Sequence, residues 1–437
     1  MEKNKIQKLI YIFLILQPII DLITALMTRL LNSTITVGVI TRGLFLLFLV
    51  VYNVFFVKNK HSKKVIVYFI SIFLFMVMYF ILKPDMFELN YLKTEIIYMF
   101  KYFYFPIVGV CLINCYDHLG FSKEKLFKIF IYNILMMSIL IIIPYITNTS
   151  FSSYHEISQG TVGWFYSANE IGAIMVALFP FLYYLLFERE GLFKISLIFI
   201  IVILTMTLLG TKTSFLGMLI TEIIYALYFL FNYKKNRAYG LKISLIIIIV
   251  SFGLIPNIPA VKNLQNSIAR SNALLEQKNQ EKDNIDNEGI KKEYNENVKL
   301  EKILKVALSG RDDFFFRTKA IYDNANIDDK LLGIGFVNRS EINNKKIQKL
   351  IEIDPLDVFF HYGIIGFIIY FSPLIYIVYR TLKSIFKNKF RLSFFKLTNI
   401  YVIGIITMIS MMAGHVYSAP AVSIYVSFAM AMLDSAL

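Results

Sequence analysis

Three acidic residues and a histidine stand within one short stretch, Glu352-Ile353-Asp354-Pro355-Leu356-Asp357-Val358-Phe359-Phe360-His361. Asp354 and Asp357 are three apart and Asp357 and His361 four apart, so a helix carries them on one face. Carboxylates and an imidazole near a membrane surface can act as general bases towards a hydroxyl. They can also hydrogen-bond sugar hydroxyls, and Asp354 just before Pro355 fits a helix cap. Against chemistry at His361 stands its apolar company, where a histidine is often a satisfied core residue.

Cations form the second group. Gly210-Thr211-Lys212-Thr213-Ser214 brings a charge, hydroxyls and a helix start together. Free N–H groups and the helix dipole favour an anion there, and a pyrophosphate at headgroup level is a natural ligand. A snorkelling lysine is the plain alternative. Arg42, Asp21 and Glu95 lie inside apolar runs, where a charge signals either a site or an ion pair between helices. Asn169 and Glu170 follow the hydroxyl-rich stretch that contains Trp164, and they read as a cap or as sugar contacts with Trp164 as a stacking platform. Arg311 upstream of the acidic cluster and His415 in Gly414-His415-Val416-Tyr417 complete the polar set.

These residues are carried by a chain of 437 residues, 57% hydrophobic and only 17% charged, with mean hydropathy +0.61. Such values describe a polytopic membrane protein. The expected fold is all-α, with about twelve transmembrane helices and one large, partly helical extracellular loop. The expected runs are 6–27, 36–57, 64–82, 92–116, 124–147, 168–188, 192–209, 212–232, 241–258, 356–381, 395–413 and 417–435. Residues 1–258 form a membrane domain, 259–355 the loop, and 356–437 a second membrane portion. Val261–Lys305 within the loop reads as polar amphipathic helix.

Lys and Arg gather in alternate connections, notably Lys58–Lys64, Lys234–Lys242 and Lys383–Lys396. The positive-inside rule therefore predicts a multi-pass cell-membrane protein with both termini cytoplasmic and the loop outside. The same clustering accounts for the net charge of +15 and speaks against a nucleic-acid partner. The first apolar run is too long for a cleavable signal. Cys111 and Cys115 share a helical face without a metal pattern, and no HExxH or phosphate-binding loop occurs. No metal or other cofactor is expected. The cytosolic linkers are too short for a sugar-nucleotide domain, so an activated substrate must come from the membrane itself.

Local motifs carry a resemblance. Gln17–Thr24 (QPIIDLIT), Gly210–Leu219 (GTKTSFLGML), Ser309–Ile321 with Leu331–Phe336, Glu352–Phe371 and Ala413–Phe428 resemble the O-antigen ligase and Wzy-type polymerase superfamily, in its Gram-positive form. The resemblance implies a metal-independent, inverting transfer at the outer face of the plasma membrane. A glycan leaves undecaprenyl pyrophosphate and joins a sugar hydroxyl. It places Lys212 and Arg311 on the pyrophosphate, a role their charge alone would permit, and we group Arg42 with them. Asn169, Trp164, His361 and His415 are the glycan-binding candidates.

Ligases of that superfamily typically carry a histidine about eleven residues before the first glycine of a Gly-x-x-Gly segment. Counting back from Gly363 reaches Glu352 and Ile353 instead. Glu352, Asp354 or Asp357 is then the base, and a polymerase of lipid-linked repeat units is expected ahead of a ligase. A transporter of lipid-linked glycan is the third reading, although its polar groups would gather at the midplane. Expected partners are the lipid-linked glycan, membrane lipid and assembly proteins such as a flippase.

Overall fold

The computed structural model describes residues 3–437 except 34–35, 60, 84–88, 154–158, 188–190, 232–236, 255–257, 264, 267, 270–310, 338–349, 388–391 and 413. Most of the polar helix expected over Val261–Lys305 therefore lies outside the described residues.

The chain is a helical bundle, and apolar run length sets most of its elements. α1 (Lys3–Ile15) and α2 (Gln17–Leu31) form one path bent by 50°. Pro18 sits in the first turn of α2, where its missing N–H interrupts no helical bond. Then come α3 (Val37–Phe55), α4 (Ser62–Ile81), α5 (Leu89–Leu119) and α6 (Lys123–Ile146). A small antiparallel pair, β1 (Phe151–Ser152) and β2 (Thr161–Gly163), precedes α7 (Ala168–Leu178). α7 runs on as a 3-10 helix, Phe179–Phe187, at whose start Pro180 cannot donate an α-type bond.

α8 (Leu192–Leu208), α9 (Lys212–Phe231) and α10 (Arg237–Leu254) pack as a group. Two short helices follow in the polar segment, α11 (Asp312–Asp323) and α12 (Ile327–Leu332). α13 (Asp354–Lys387), α14 (Phe394–Met412) and α15 (Pro420–Ala436) close the chain.

Among the described residues, eight helices are long and apolar enough to cross a bilayer, or nine if the bent pair is one span. The other three expected runs are apolar helices too short to meet that length: Leu192–Leu208, Tyr239–Gly253 and Pro420–Ala436. Shortness has a reason in α15, which lies in the middle of the bundle. It packs chiefly on α5 and also touches α7, α13 and α14, and every residue from Ala421 to Asp434 is buried. Between apolar helices close packing rather than water exclusion drives association, which favours small residues. Ala421, Ser423, Ser427, Ala429 and Ala431 supply them, and Gly109 of α5 comes up against Ser427 and Met430. α3 and α4 instead turn Leu44, Leu47, Phe55, Val67 and Phe73 outwards, as lipid contact requires.

α13 is broken near its start. Gly363 has φ 66° and ψ −171°, so the carbonyls of Phe360 and His361 lose helical partners. The N–H groups of Ile334 and Gly335 replace them at 2.9 and 3.2 Å. Such replacement is necessary because an unmet buried carbonyl is costly. The backbones touch so closely that a Cβ on Gly363 would lie 2.4 Å from Gly333 N. Residues 331–337 thus act as a splint on the break.

Candidate functional site

Arg311 and Glu352 meet at the head of α13. Arg311 precedes α11, is only 8% exposed, and donates through Nη2 to Glu352 Oε2 at 2.9 Å. Glu352 occupies left-handed backbone at φ 62°, which costs a non-glycine residue about 1–3 kcal/mol. Its carbonyl accepts the Gly414 N–H at 2.9 Å, and Ile353 forms a parallel bridge with Gly414. The surroundings therefore impose the strained position, a pattern common at functional residues. Of the three candidate carboxylates only Glu352 reaches solvent, its side chain 36% exposed. Lys212, first residue of α9 and half-buried, lies within electrostatic reach of Arg311.

The other two carboxylates are enclosed. Asp354 Oδ2 accepts the N–H groups of Val416 (2.8 Å) and Tyr417 (2.6 Å), and Oδ1 accepts the Ser418 hydroxyl at 2.6 Å. It is the first residue of α13 but binds the 414–418 loop rather than capping its own helix. Asp357 Oδ1 accepts the Ile351 N–H at 3.0 Å and lies 3.8 Å from His361 Nε2. Both carboxylates are completely buried, so they shape the site from behind.

His415 stands at the rim, with Nδ1 3.1 Å from Ser418 Oγ and 3.9 Å from Asp354 Oδ1. Burial works against its charge, but Asp354, then Asp357 and Glu352, outweigh it and raise the imidazole above its ordinary value. His361 is different. It is fully buried, its Nδ1 is 2.9 Å from the Gly335 carbonyl, and Phe336 covers its ring at 4.3 Å. In this geometry His361 is a post for the splint.

Two charged residues fix the same splint, and sequence reading gave neither this task. Glu95 Oε1 accepts the N–H groups of Phe336 (2.7 Å) and Val337 (3.1 Å), while its Oε2 accepts the Tyr79 hydroxyl (2.9 Å). Lys83, 1% exposed, donates to the Gly333 carbonyl and lies 3.3 Å from Asp329. The signals in the sequence were the charge of Glu95 inside an apolar run and a lone lysine in a connection otherwise poor in basic residues.

Arg42 lies apart from Lys212 and Arg311 in its bonding. Its Nη2 and Nε reach Gln17 Oε1 at 2.9 and 3.2 Å, and Nη2 reaches Asp21 Oδ1 at 2.5 Å. This is the ion pair between helices that the sequence offered as one of two readings. The hydroxyls beside Lys212 are also taken up locally. Thr211 Oγ1 accepts the Ser214 N–H at 3.2 Å and Ser214 Oγ donates to the Met206 carbonyl at 2.9 Å, so both serve the α8–α9 corner.

Trp164 donates through Nε1 to Thr149 Oγ1 at 3.2 Å. Asn169 lines a hollow of about 290 Å³ together with Arg29, Ser152, Ser153, Tyr166, Ser167 and Ala168. A Cβ on Gly414 would lie 3.7 Å from Asn169 Cβ, so Asn169 borders the residue whose N–H binds the Glu352 carbonyl. Asn263 ties the adjoining loop to Lys212's corner: Nδ2 donates to the carbonyls of Gln159 (2.7 Å) and Gly210 (3.0 Å).

Among the described residues no three His, Cys, Asp or Glu side chains are grouped to hold a metal ion. What is grouped is a partly exposed carboxylate, two cations and a polar hollow at one end of the bundle. Such a set can accept a proton and neutralise a leaving anion. No curated protein and no solved structure matches the chain. Residues 3–436 match the family described as O-antigen ligase like membrane protein. That match spans nearly all of the sequence and agrees with the site's place among apolar helices, so the chain belongs to the O-antigen ligase-like family of membrane proteins.

Proposed function

We propose that the protein is a polysaccharide polymerase, joining undecaprenyl-pyrophosphate-linked oligosaccharide repeat units at the outer face of the plasma membrane. Membership of the family supports a membrane enzyme that transfers glycan. The observation that carries the finer reading is the Arg311–Glu352 pair, held on strained backbone with Lys212 in reach.

In the proposed step a hydroxyl of one lipid-linked unit attacks the anomeric carbon of the other from the face opposite the diphosphate. The new glycosidic C–O bond forms as the C–O bond to diphosphate breaks. Glu352 receives the hydroxyl proton, and the diphosphate departs with the electron pair. Arg311 and Lys212 neutralise it, an effect that is large in a site of low dielectric. The incoming diphosphate also competes with Glu352 for Arg311, which frees the carboxylate when the donor is seated. Asp354 and Asp357 hold the loop and helix start that present Glu352. Metal is not required for this step, since two side-chain cations stand where charge develops.

Glutamate in place of the histidine typical of ligases favours polymerisation over transfer to a foreign acceptor. In this reading residues 259–355 lie outside the cell and both termini lie in the cytoplasm, with a flippase supplying the lipid-linked unit. The test uses membranes containing the protein and one undecaprenyl-pyrophosphate-linked repeat unit, with lipid-linked products resolved on a gel. A ladder of longer glycans that disappears in Glu352→Gln supports the proposal. Product formed only when a second kind of acceptor is added would replace the polymerase with a ligase.

A further inference from the structure

The hollow beside the site contains a cation that the transfer step does not use. Arg29, near the end of α2, donates through Nη2 to the Tyr166 carbonyl at 3.0 Å. Its guanidinium lies over two rings, 4.3 Å from Phe151 and 5.3 Å from Tyr166. Those contacts fix its position, since arginine stacks on aromatic faces while keeping its charge. Among the described residues no carboxylate pairs with Arg29, and its Nε–H has no acceptor. The rest of the lining is suited to a sugar: three serines, the Asn169 amide and Tyr166, which is 57% exposed.

We infer that this hollow is a subsite for an acidic sugar of the glycan, whose carboxylate is taken by Arg29. One cation among hydroxyl and amide groups matches a monoanionic, polyhydroxylated ring. A pyrophosphate is matched better by the paired charges of Lys212 and Arg311. Asn169 of the hollow adjoins Gly414, which bonds Glu352, so a sugar held there selects which repeat unit is presented for transfer. The location of the subsite on the reaction path rests on the proposed polymerase, but the carboxylate recognition does not.

The test measures binding, without turnover. Purified protein in phosphatidylcholine nanodiscs is titrated with a glucuronate-bearing tetrasaccharide and with the same tetrasaccharide after reduction of its carboxyl groups. Wild type should bind the acid form at least roughly tenfold more tightly, the range expected for one charged hydrogen bond. Arg29→Gln should abolish the preference, Arg29→Lys should keep part of it, and Glu352→Gln should leave it intact. The lysine variant serves as the folding control. Equal binding of both glycans by wild type, or an unchanged preference in Arg29→Gln, would overturn the subsite. Loss of the preference when phosphatidylglycerol replaces a third of the lipid would make the occupant a lipid headgroup and also overturn it. A surviving preference in a protein that forms no ladder would refute the polymerase alone.

Discussion

Glu95 and Phe336 are 241 residues apart, yet the Glu95 carboxylate accepts the Phe336 main-chain N–H at 2.7 Å. The same oxygen accepts the Val337 N–H, so one side chain of α5 holds the turn that splints α13. Glu95→Ala leaves three buried donors, the Phe336 and Val337 N–H groups and the Tyr79 hydroxyl, without an acceptor, a loss of roughly 3 kcal/mol or more. Glu95→Gln retains an acceptor oxygen and should lose less. Melting in detergent checks the order, and equal melting of wild type and both variants would deny Glu95 this role.

The break in α13 admits no side chain. Gly363→Ala should destabilise the protein by roughly 3 kcal/mol or more, because left-handed backbone and overlap with Gly333 act together. A Cβ on Gly404 of α14 would meet no atom within 4 Å, so Gly404→Ala should be silent. Recovery of monodisperse protein compares the two, and a well-folded Gly363→Ala would refute the tight crossing.

Charge at the leaving group predicts a rate effect. Lys212→Ala and Arg311→Ala should each lower turnover by about 10²–10³-fold, as removal of a group that stabilises developing charge does. Lys212→Arg should keep most of the rate. Wild-type turnover in both alanine variants, scored on the product ladder, would remove the diphosphate clamp.

His415 gives a pH dependence. Asp354, Asp357 and Glu352 favour its charged form in the folded protein, against burial, and Glu170 of α7 also faces it. A raised folded value means that the stabilisation is complete below the ordinary imidazole value of about 6.5. It is lost as pH climbs through the folded value. Wild type should therefore lose melting temperature more steeply than His415→Gln as pH rises from about 6.5. Superimposable profiles would show that these carboxylates do not hold the charge.

The sequence revealed helices more readily than connections between them. Hydropathy located α3 to α6 closely because each is a predominantly apolar run of spanning length bounded by polar residues. α15 was harder, since small and apolar residues look alike in a span and in a buried central helix. Glu352 was legible by its position before Gly363, and Lys212 by its charge beside an expected helix start. Their surroundings were not. Asp354 and Asp357 share a helix face by spacing, but their partners are main-chain N–H groups and the distant Ser418 hydroxyl, which leave no mark near them in the sequence. Lys83 and Gly333 are 250 residues apart, and nothing local announces their bond. Arg29 was passed over because a single arginine in the last turn of a helix looks like ordinary surface.

The splint also orders assembly. The two carbonyls exposed by the break at Gly363 need Ile334 and Gly335, and those residues are synthesised before α13. A ribosome working from the N-terminus therefore delivers the patch ahead of the wound it covers. Moving residues 331–337 to the C-terminus by circular permutation would reverse that timing, leaving α13 to enter the bilayer incomplete.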